Sequence, residues 1–411
     1  MKKLLFIALL SFSLCIQAQK YEDLAPTPPM GWNSWNTFQT NISDKLVREI
    51  ADDMVTSGMK EAGYNYIVLD DGWMAKERNK NGDLVPDPQK FPNGLKVVID
   101  YVHSKGLKFG LYNCAGTMTC ASYPGSRGYE YQDARLYAGL EVDYLKYDWC
   151  NTEGITAKEA YKTMSNALKV AGRPIVFSLC EWGTYEPWTW AKDIGHLWRI
   201  SGDIYNCFDC VFDHGTWKSW GVTYIIDMRK NIRQYAGPDH WNDPDMMEVG
   251  HGMSANEDRA HFSMWCILAA PLIAGNDLRD MNKETIVTLT DKEVISIDQD
   301  SLGIQGYLYQ QKDSVDTWIK PLKNNEVAVC FLNRSKNAVS FSYDFNQHPV
   351  ADTFSKADIN FTTAPYSIRD VWMKKELGDT KKPLAVTVQP HDVVLLRLSA
   401  TKATTNKKPK K

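Results

Sequence analysis

Between Met30 and Gly275 the chain alternates short apolar, strand-like runs with helical stretches, and it does so eight times. The runs are Met30 to Trp32, Tyr66 to Asp70, Lys108 to Tyr112, Val142 to Asp148, Ile175 to Cys180, Leu197 to Arg199, His240 to Asp243 and Pro271 to Ala274. Strands separated by helices pair in parallel, because a tight hairpin cannot join them and each crossover helix covers a face of the sheet. Eight such units are what closes a parallel barrel. Ser43 ahead of Leu46, Val47, Ile50, Met54 and Val55 sets an N-cap before one apolar face, predicting a helix over Asp44 to Ser57 that Gly58 ends. Gly106, Gly139 and Gly172 read as stops of the same kind.

After about Asp300 the character changes to short alternating segments: Gly306 to Gln310, Asp316 to Lys320, Val327 to Leu332, Ala338 to Tyr343, Ala385 to Val388 and a last strand over Asp392 to Leu398. No helical period persists, which reads as a small all-β unit. The expected fold class is therefore α/β, a (β/α)8 TIM barrel over residues 25–300 followed by a C-terminal antiparallel β-sandwich over 301–400.

Lys2 and Lys3, the apolar run Leu4 to Leu14 and the small and polar Gln17-Ala18-Gln19 predict a signal peptide over residues 1–18. That run is too short to span a bilayer, and nothing later approaches the ~18 apolar residues a span needs. An exported protein, periplasmic or secreted, with no membrane span is expected. Lipidation at Cys15 is the lesser alternative, since Leu14 is bulky where a small residue is wanted. The net charge of −3 becomes more negative once Lys2 and Lys3 are removed and the five lysines of the tail 401–411, expected to be disordered, are set aside. An acidic body argues against nucleic acid as a partner.

Export permits disulfides among the eight cysteines that remain. Cys207-Phe208-Asp209-Cys210 has the spacing of a redox or zinc site, but no second such pair and no thioredoxin-like context accompany it. A loop disulfide or two free thiols is expected there. No metal and no organic cofactor is implied anywhere.

The chemistry begins at Tyr144-Leu145-Lys146-Tyr147-Asp148-Trp149-Cys150. Lys146 and Asp148 lie two apart on a strand, so both point into the barrel, near the mouth where such folds build their sites. A local ion pair is the ordinary use of a Lys-x-Asp pair, but the pattern recurs at Arg199 and Asp203. Two carboxylates, each framed by a cation, suggest glycoside hydrolysis. Residues at or just past the strand ends are Trp35, Asp70, Asp71, Tyr112, Lys146, Asp148, Glu181, Trp182, Arg199, Asp203 and Asp243. Charged groups of both signs bind sugar hydroxyls, and indoles stack on a pyranose face.

Around these residues stand Pro29-Met30-Gly31-Trp32-Asn33-Ser34-Trp35, Asp70-Asp71-Gly72-Trp73, Tyr123-Pro124-Gly125-Ser126, Leu145-Lys146-Tyr147-Asp148, Cys180-Glu181-Trp182-Gly183, Trp241-Asn242-Asp243-Pro244-Asp245 and Pro271-Leu272-Ile273-Ala274-Gly275-Asn276. With them the chain closely resembles glycoside hydrolase family 27, the α-galactosidases and α-N-acetylgalactosaminidases. The resemblance implies a retaining α-galactosidase in which Asp148 is the nucleophile, kept ionised by Lys146, and Asp203 the general acid and base. It implies carboxyl groups roughly 5 to 5.5 Å apart. It also assigns Asp70 and Asp71 to the 4- and 6-hydroxyls of galactose, Trp35 and Tyr112 to the pocket wall, Lys146 and Arg199 to O3 and O2, and Asp243 to the surrounding network. Cys120 and Cys150 match a disulfide beside the pocket. Members acting on N-acetylgalactosamine carry small residues where this chain has Glu181 and Trp182, which are expected to fill that space and bind a free O2, with Gly183 completing the loop. Cys180 lacks the partner cysteine of animal members and is expected to be a free thiol. The implied partners are α-galactoside oligosaccharides or polysaccharide side chains.

Three alternatives remain at this level. β-L-Arabinopyranosidases of the same family enlarge an acid at the Asp70-Asp71 motif, and both acids here are Asp. A silent galactose-binding protein would lose one of the two carboxylates, and both are present. The β domain could itself bind carbohydrate through Trp318 and Trp372, although tryptophans in a sandwich are more often core.

Overall fold

Eight parallel strands form one curled sheet: β1 Met30–Asn33, β2 Tyr66–Val68, β3 Lys108–Cys114, β4 Tyr144–Asp148, β5 Val176–Cys180, β6 Leu197–Arg199, β7 Trp241–Asp243 and β8 Leu272–Ala274. In this computed structural model, which describes residues 20–401, the order round the sheet is β8-β1-β2-β3-β4-β5-β6-β7. The seam is bridged just past β7, where the Met247 N–H donates to Ile273 O at 2.7 Å and Met247 O accepts from the Gly275 N–H at 3.0 Å. The expected signal peptide, Cys15 and the basic tail beyond residue 401 lie outside the described residues.

All eight expected strands are present, with ends that move by one or two residues. Period-2 alternation sorts their side chains as parallel barrels require. Tyr66, Val68, Tyr144, Val176, Leu197 and Trp241 pack together as one layer, while Ile67, Leu145, Tyr147, Phe177 and Leu179 join the main core against the helices. Lys146 and Asp148 share the parity of Tyr144 and so face inward above that layer.

The helix Asp44–Thr56 is built as its sequence suggests: Ser43 Oγ accepts from the Leu46 N–H, and Leu46, Val47, Ile50 and Met54 are buried. Gly58, Gly106 and Gly172 follow their helices with positive φ. Gly139 is a correction, because it is the last residue of the helix Glu130–Gly139 and the left-handed turn falls on Glu141 instead.

The C-terminal region holds a six-stranded antiparallel sheet, in order 307–312, 315–322, 326–333, 393–400, 366–370, 375–379, and two further strand pairs, 339–343 with 384–388 and 350–352 with 357–359. Its inner face continues the barrel's core. Met264, Trp265 and Cys266 of the helix Ala255–Ile267 belong to one cluster with Trp318, Ala328, Cys330 and Leu395. Every residue of that helix from Ala260 to Ile267 is buried, because it is covered on both sides. Ser254 and Glu257 cap its start reciprocally. Ion pairs cross the same boundary, Arg259 with Asp392, Arg369 with Glu293 at 2.7 Å and Lys374 with Asp291 at 2.6 Å. Trp318 is wholly buried, and the Trp372 Nε1–H donates to Ser263 Oγ of the barrel at 2.8 Å. Trp318 is thus part of the core, and Trp372 is tied to the barrel. Among the described residues no helix is long and apolar enough to cross a membrane.

Candidate active site

The interior face of β4 carries Tyr144 below, Lys146 in the middle and Asp148 at the mouth. Lys146 Nζ donates to Asp70 Oδ2 at 2.7 Å, and the Asn33 side-chain amide donates to the same oxygen at 2.8 Å. Asp70 Oδ1 accepts from the Asp71 N–H at 2.9 Å, so the carboxylate past β2 is clamped from β1, β4 and its own turn. Burial works against the charge of Lys146, but nearby carboxylates, Asp70 foremost, outweigh it and hold the ammonium protonated. That ammonium also lies 5.4 Å from the centre of the Tyr112 ring. Asp71 Oδ2 accepts from the Ala121 N–H at 2.8 Å while its Oδ1 has no partner. Burial pushes the Asp71 pKa up to about 6, opposed by the Ala121 N–H and Thr119.

Cys120 and Cys150 form a disulfide, with Cα atoms 5.2 Å apart, that ties the loop after β3 to the loop after β4. The Tyr112 hydroxyl donates to Cys120 Sγ at 3.3 Å. Beneath the bridge, the buried Cys114 thiol donates to the carbonyl of Cys150 at 3.0 Å. Cys114, Cys180, Cys266 and Cys330 are free and buried, and Cys207 and Cys210 form a second disulfide.

Asp148 is only 6% exposed, and its Oδ1 accepts from the Trp149 N–H at 2.8 Å. Burial raises its pKa to about 7; Lys146 pulls down, and the negative charge of Asp203 pushes further up. Lys146 favours the ionised form of Asp148, as expected, but burial outweighs it in the free protein. The lysine's pull is limited because its ammonium makes its direct bond to Asp70, which leaves Asp148 only its field.

Asp203 is held differently. Its side chain is 39% exposed, and Oδ1 accepts from Arg199 Nη2 at 3.1 Å. The same nitrogen reaches Asp245 Oδ2 at 2.8 Å, and Arg199 itself is buried. Burial opposes the guanidinium charge, but Asp245 foremost keeps it protonated. Asp245 has φ 94° and also accepts from the Ile204 N–H at 2.9 Å, bracing the turn that delivers Asp203. Asp243 stands one step back, its Oδ1 accepting from the Asp245 N–H at 2.9 Å. Asp245 is the residue that sequence reasoning missed. The Asp243-Pro244-Asp245 motif carried the signal, since a proline between two acids forces the chain to turn just where β7 ends.

Glu181 departs from its expected role as a contact to O2. Its carboxyl is fully enclosed, with Oε2 accepting from the Tyr185 N–H at 2.6 Å and Oε1 unpartnered. Burial raises its pKa to about 7, opposed by the N–H groups of Tyr185, Thr184 and Gly183. It folds the turn 181–185 around itself. Trp182, at φ 59°, is half-buried against the core, and Gly183, at φ 71°, brings the loop against Ile200 on the approach to Asp203. The Cys180 thiol lies 3.5 Å from Arg199 Nη1. Trp35 is half-buried just past β1, its N–H donating to Asn33 Oδ1 at 2.8 Å.

The barrel thus gathers Asp70, Asp71, Tyr112, Lys146, Asp148, Cys180, Arg199 and Asp203 at the C-terminal ends of β2 to β6. A deep carboxyl and a half-open one, each near its own cation, can attack a saturated carbon and move a proton on the same bound sugar.

The family described as Alpha galactosidase A matches residues 27–300, and the one described as the alpha galactosidase C-terminal beta sandwich domain matches residues 312–398. Alpha-galactosidase A of Cellvibrio japonicus (strain Ueda107) is 52% identical over 393 residues, covering 96% of this chain and 97% of that protein. The crystal structure of α-galactosidase I from Mortierella vinacea superposes with a TM-score of 0.85 at 36% identity, covering 93% of this chain and 100% of that one. The Saccharomyces cerevisiae α-galactosidase, in a structure with raffinose, gives a TM-score of 0.84 at 31% identity over 93% of this chain and all of that one. The barrel, the sandwich and these likenesses agree, and the chain belongs to the α-galactosidase A family, glycoside hydrolase family 27.

Proposed function

We propose that the protein is an exported, retaining α-galactosidase that removes terminal non-reducing α-D-galactosyl residues from oligosaccharides or polysaccharide side chains. The carrying observation is the contrast between Asp148, sealed at the end of β4, and Asp203, left half-open past β6. An ionised Asp148 attacks the anomeric carbon while the Asp203 carboxylic acid protonates the leaving oxygen. The resulting galactosyl ester removes a negative charge beside Asp203, which then accepts a proton from the water that opens the ester. Asp70, held by Lys146 and Asn33, and Asp71, with an unpartnered oxygen, supply acceptors for sugar hydroxyls. Acceptors fixed at one hydroxyl reject the epimer that leaves them unpaired. The two disulfides fit an oxidising compartment and so support export.

Assay on p-nitrophenyl glycosides of α-galactose, α-N-acetylgalactosamine and β-L-arabinopyranose tests this directly. The α-galactoside should dominate, NMR should show the α anomer of galactose formed first, and Asp148→Asn should lose at least 99% of turnover. A first-formed β anomer removes the double displacement and with it the role of Asp148.

A further inference from the structure

Past Asp203 the chain folds into a small antiparallel hairpin, residues 211–213 with 218–220, before the helix Val222–Met228 begins. The hairpin is fixed to the acid/base segment rather than free of it. The Trp220 N–H donates to Asp203 O at 3.1 Å, and the Tyr205 N–H donates to Trp220 O at 2.8 Å. The Trp220 indole covers Gly202 so closely that a Cβ there would overlap it, and the Cys207–Cys210 disulfide closes the base.

On this frame sits a continuous row of rings. Tyr205 stacks on Phe212 with centroids 4.5 Å apart, Phe212 meets His214 edge-on at 4.7 Å, and His214 stacks on Trp217 at 3.7 Å. These rings do not disappear into a core: Phe212 is 42% and Trp217 49% exposed. Adjacent apolar rings left open to water mark a binding surface more often than a packing accident. Tyr205 follows Asp203 by two residues, so the row starts within about 7 Å of the acid/base backbone.

Chemistry decides which part of a substrate would meet it. The acid/base protonates the oxygen that leaves, so the group beyond Asp203 is the leaving group, while galactose lies on the side of Asp148 and Asp70. We propose that Phe212, His214 and Trp217 form the binding site for the pyranose on the leaving side of the scissile bond, making this hairpin the reader of the aglycone. Pyranoses present apolar C–H faces that suit aromatic platforms. The inference rests on the α-galactosidase reading and adds to it the residues that hold the sugar next to galactose.

The test compares raffinose with α-galactosyl fluoride, which has no leaving sugar, as substrates of the parent, Trp217→Ala and Phe212→Ala. Both side chains are exposed, so the variants keep the fold. The ratio of kcat/KM for raffinose to that for the fluoride should fall about tenfold in each variant, the scale of losing one stacking contact. An unchanged ratio, or equal losses on both substrates, overturns the proposal, the latter because the hairpin would then act only through the placement of Asp203. A parent dimer that Trp217→Ala dissociates also overturns it, since the rings would then face a second copy. Should the parent hydrolyse neither substrate, the galactosidase reading falls separately. The platform is then decided by saturation-transfer NMR with sucrose, where a signal lost in Trp217→Ala supports it and no signal overturns it.

Discussion

Asp148 stands between forces of opposite sign, and the balance sets when it can act. Burial raises its pKa to about 7 and Lys146 lowers it without bonding to it. Attack requires the ionised form, so activity is lost as pH falls through that value. The acid limb of kcat/KM should therefore lie well above the usual carboxylate range, close to neutrality, and Lys146→Met should move it higher still. A limb near pH 4 in the parent would contradict this. Asp245 carries a second residue-scale expectation. Its carboxylate holds the buried Arg199 at 2.8 Å, and removing one partner of a buried pair costs about 3 to 5 kcal/mol. Urea unfolding of Asp245→Asn should show a loss of about 3 kcal/mol, and a loss under 1 kcal/mol would mean that Arg199 is held by its other contacts. Strand parity alone put Lys146 and Asp148 on one face. It could not say that the lysine's bond runs to Asp70, because the face a residue points to does not name what it meets across the barrel.

At the scale of elements, the barrel strands were legible because parallel strands covered on both faces read as apolar runs. The four strands missed in the sandwich, 350–352, 357–359, 366–370 and 375–379, are short, and Lys375–Asp379 is largely exposed and polar. Of the four, only Tyr366–Asp370, whose residues alternate buried and half-buried, carried a legible period of two. The hairpin after Asp203 was hidden for the same reason, since every residue of 211–213 is exposed. The loop 180–183 was read for its side chains, whereas its shape depends on backbone. Gly183 needs its positive φ, and a Cβ there would come within 2.5 Å of Ile200 O. Gly183→Ala should destabilise by more than about 1 kcal/mol, typical of Ala forced to positive φ, and should lower kcat/KM by displacing the approach to Asp203. A variant with parent stability would show that the loop can relax without cost.

Over the whole molecule, one core runs through the barrel and the inner face of the sandwich, so the two should melt together. Burial raises Asp71 to about 6, Asp148, Glu181, Asp245 and Asp258 to about 7, and Asp298 to about 8. Each then binds a proton more tightly folded than unfolded, and the stability this brings is lost as pH rises through the raised values. Buried His196 and His261 act the other way, lowered to about 4 and about 3, with the His196 Nδ1 and His261 Nε2 accepting backbone N–H bonds. Their penalty falls below about pH 6.5, the unfolded value. Six raised carboxyls outnumber two histidines, and above pH 6.5 they are opposed only in part by Lys20, which burial lowers to about 8. Calorimetry should give a single transition with a higher Tm at pH 5.5 than at pH 8, and the reverse order would overturn this balance.

The Cys114 thiol beneath the Cys120–Cys150 bridge gives the same burial a second meaning. A thiol that touches the backbone of a disulfide-bonded residue is, once ionised, an attacking group for exchange, able to claim one sulfur and strand the other. Only the thiolate attacks, and burial together with the charge of Asp148 drives the Cys114 pKa far above its ordinary value. In the folded protein the rival sulfur is chemically silent. In the unfolded chain that protection is gone and Cys114 competes with Cys120 for the same partner. Docking of β3 against β4 therefore protects the Cys120–Cys150 linkage from exchange with Cys114 once the barrel has formed.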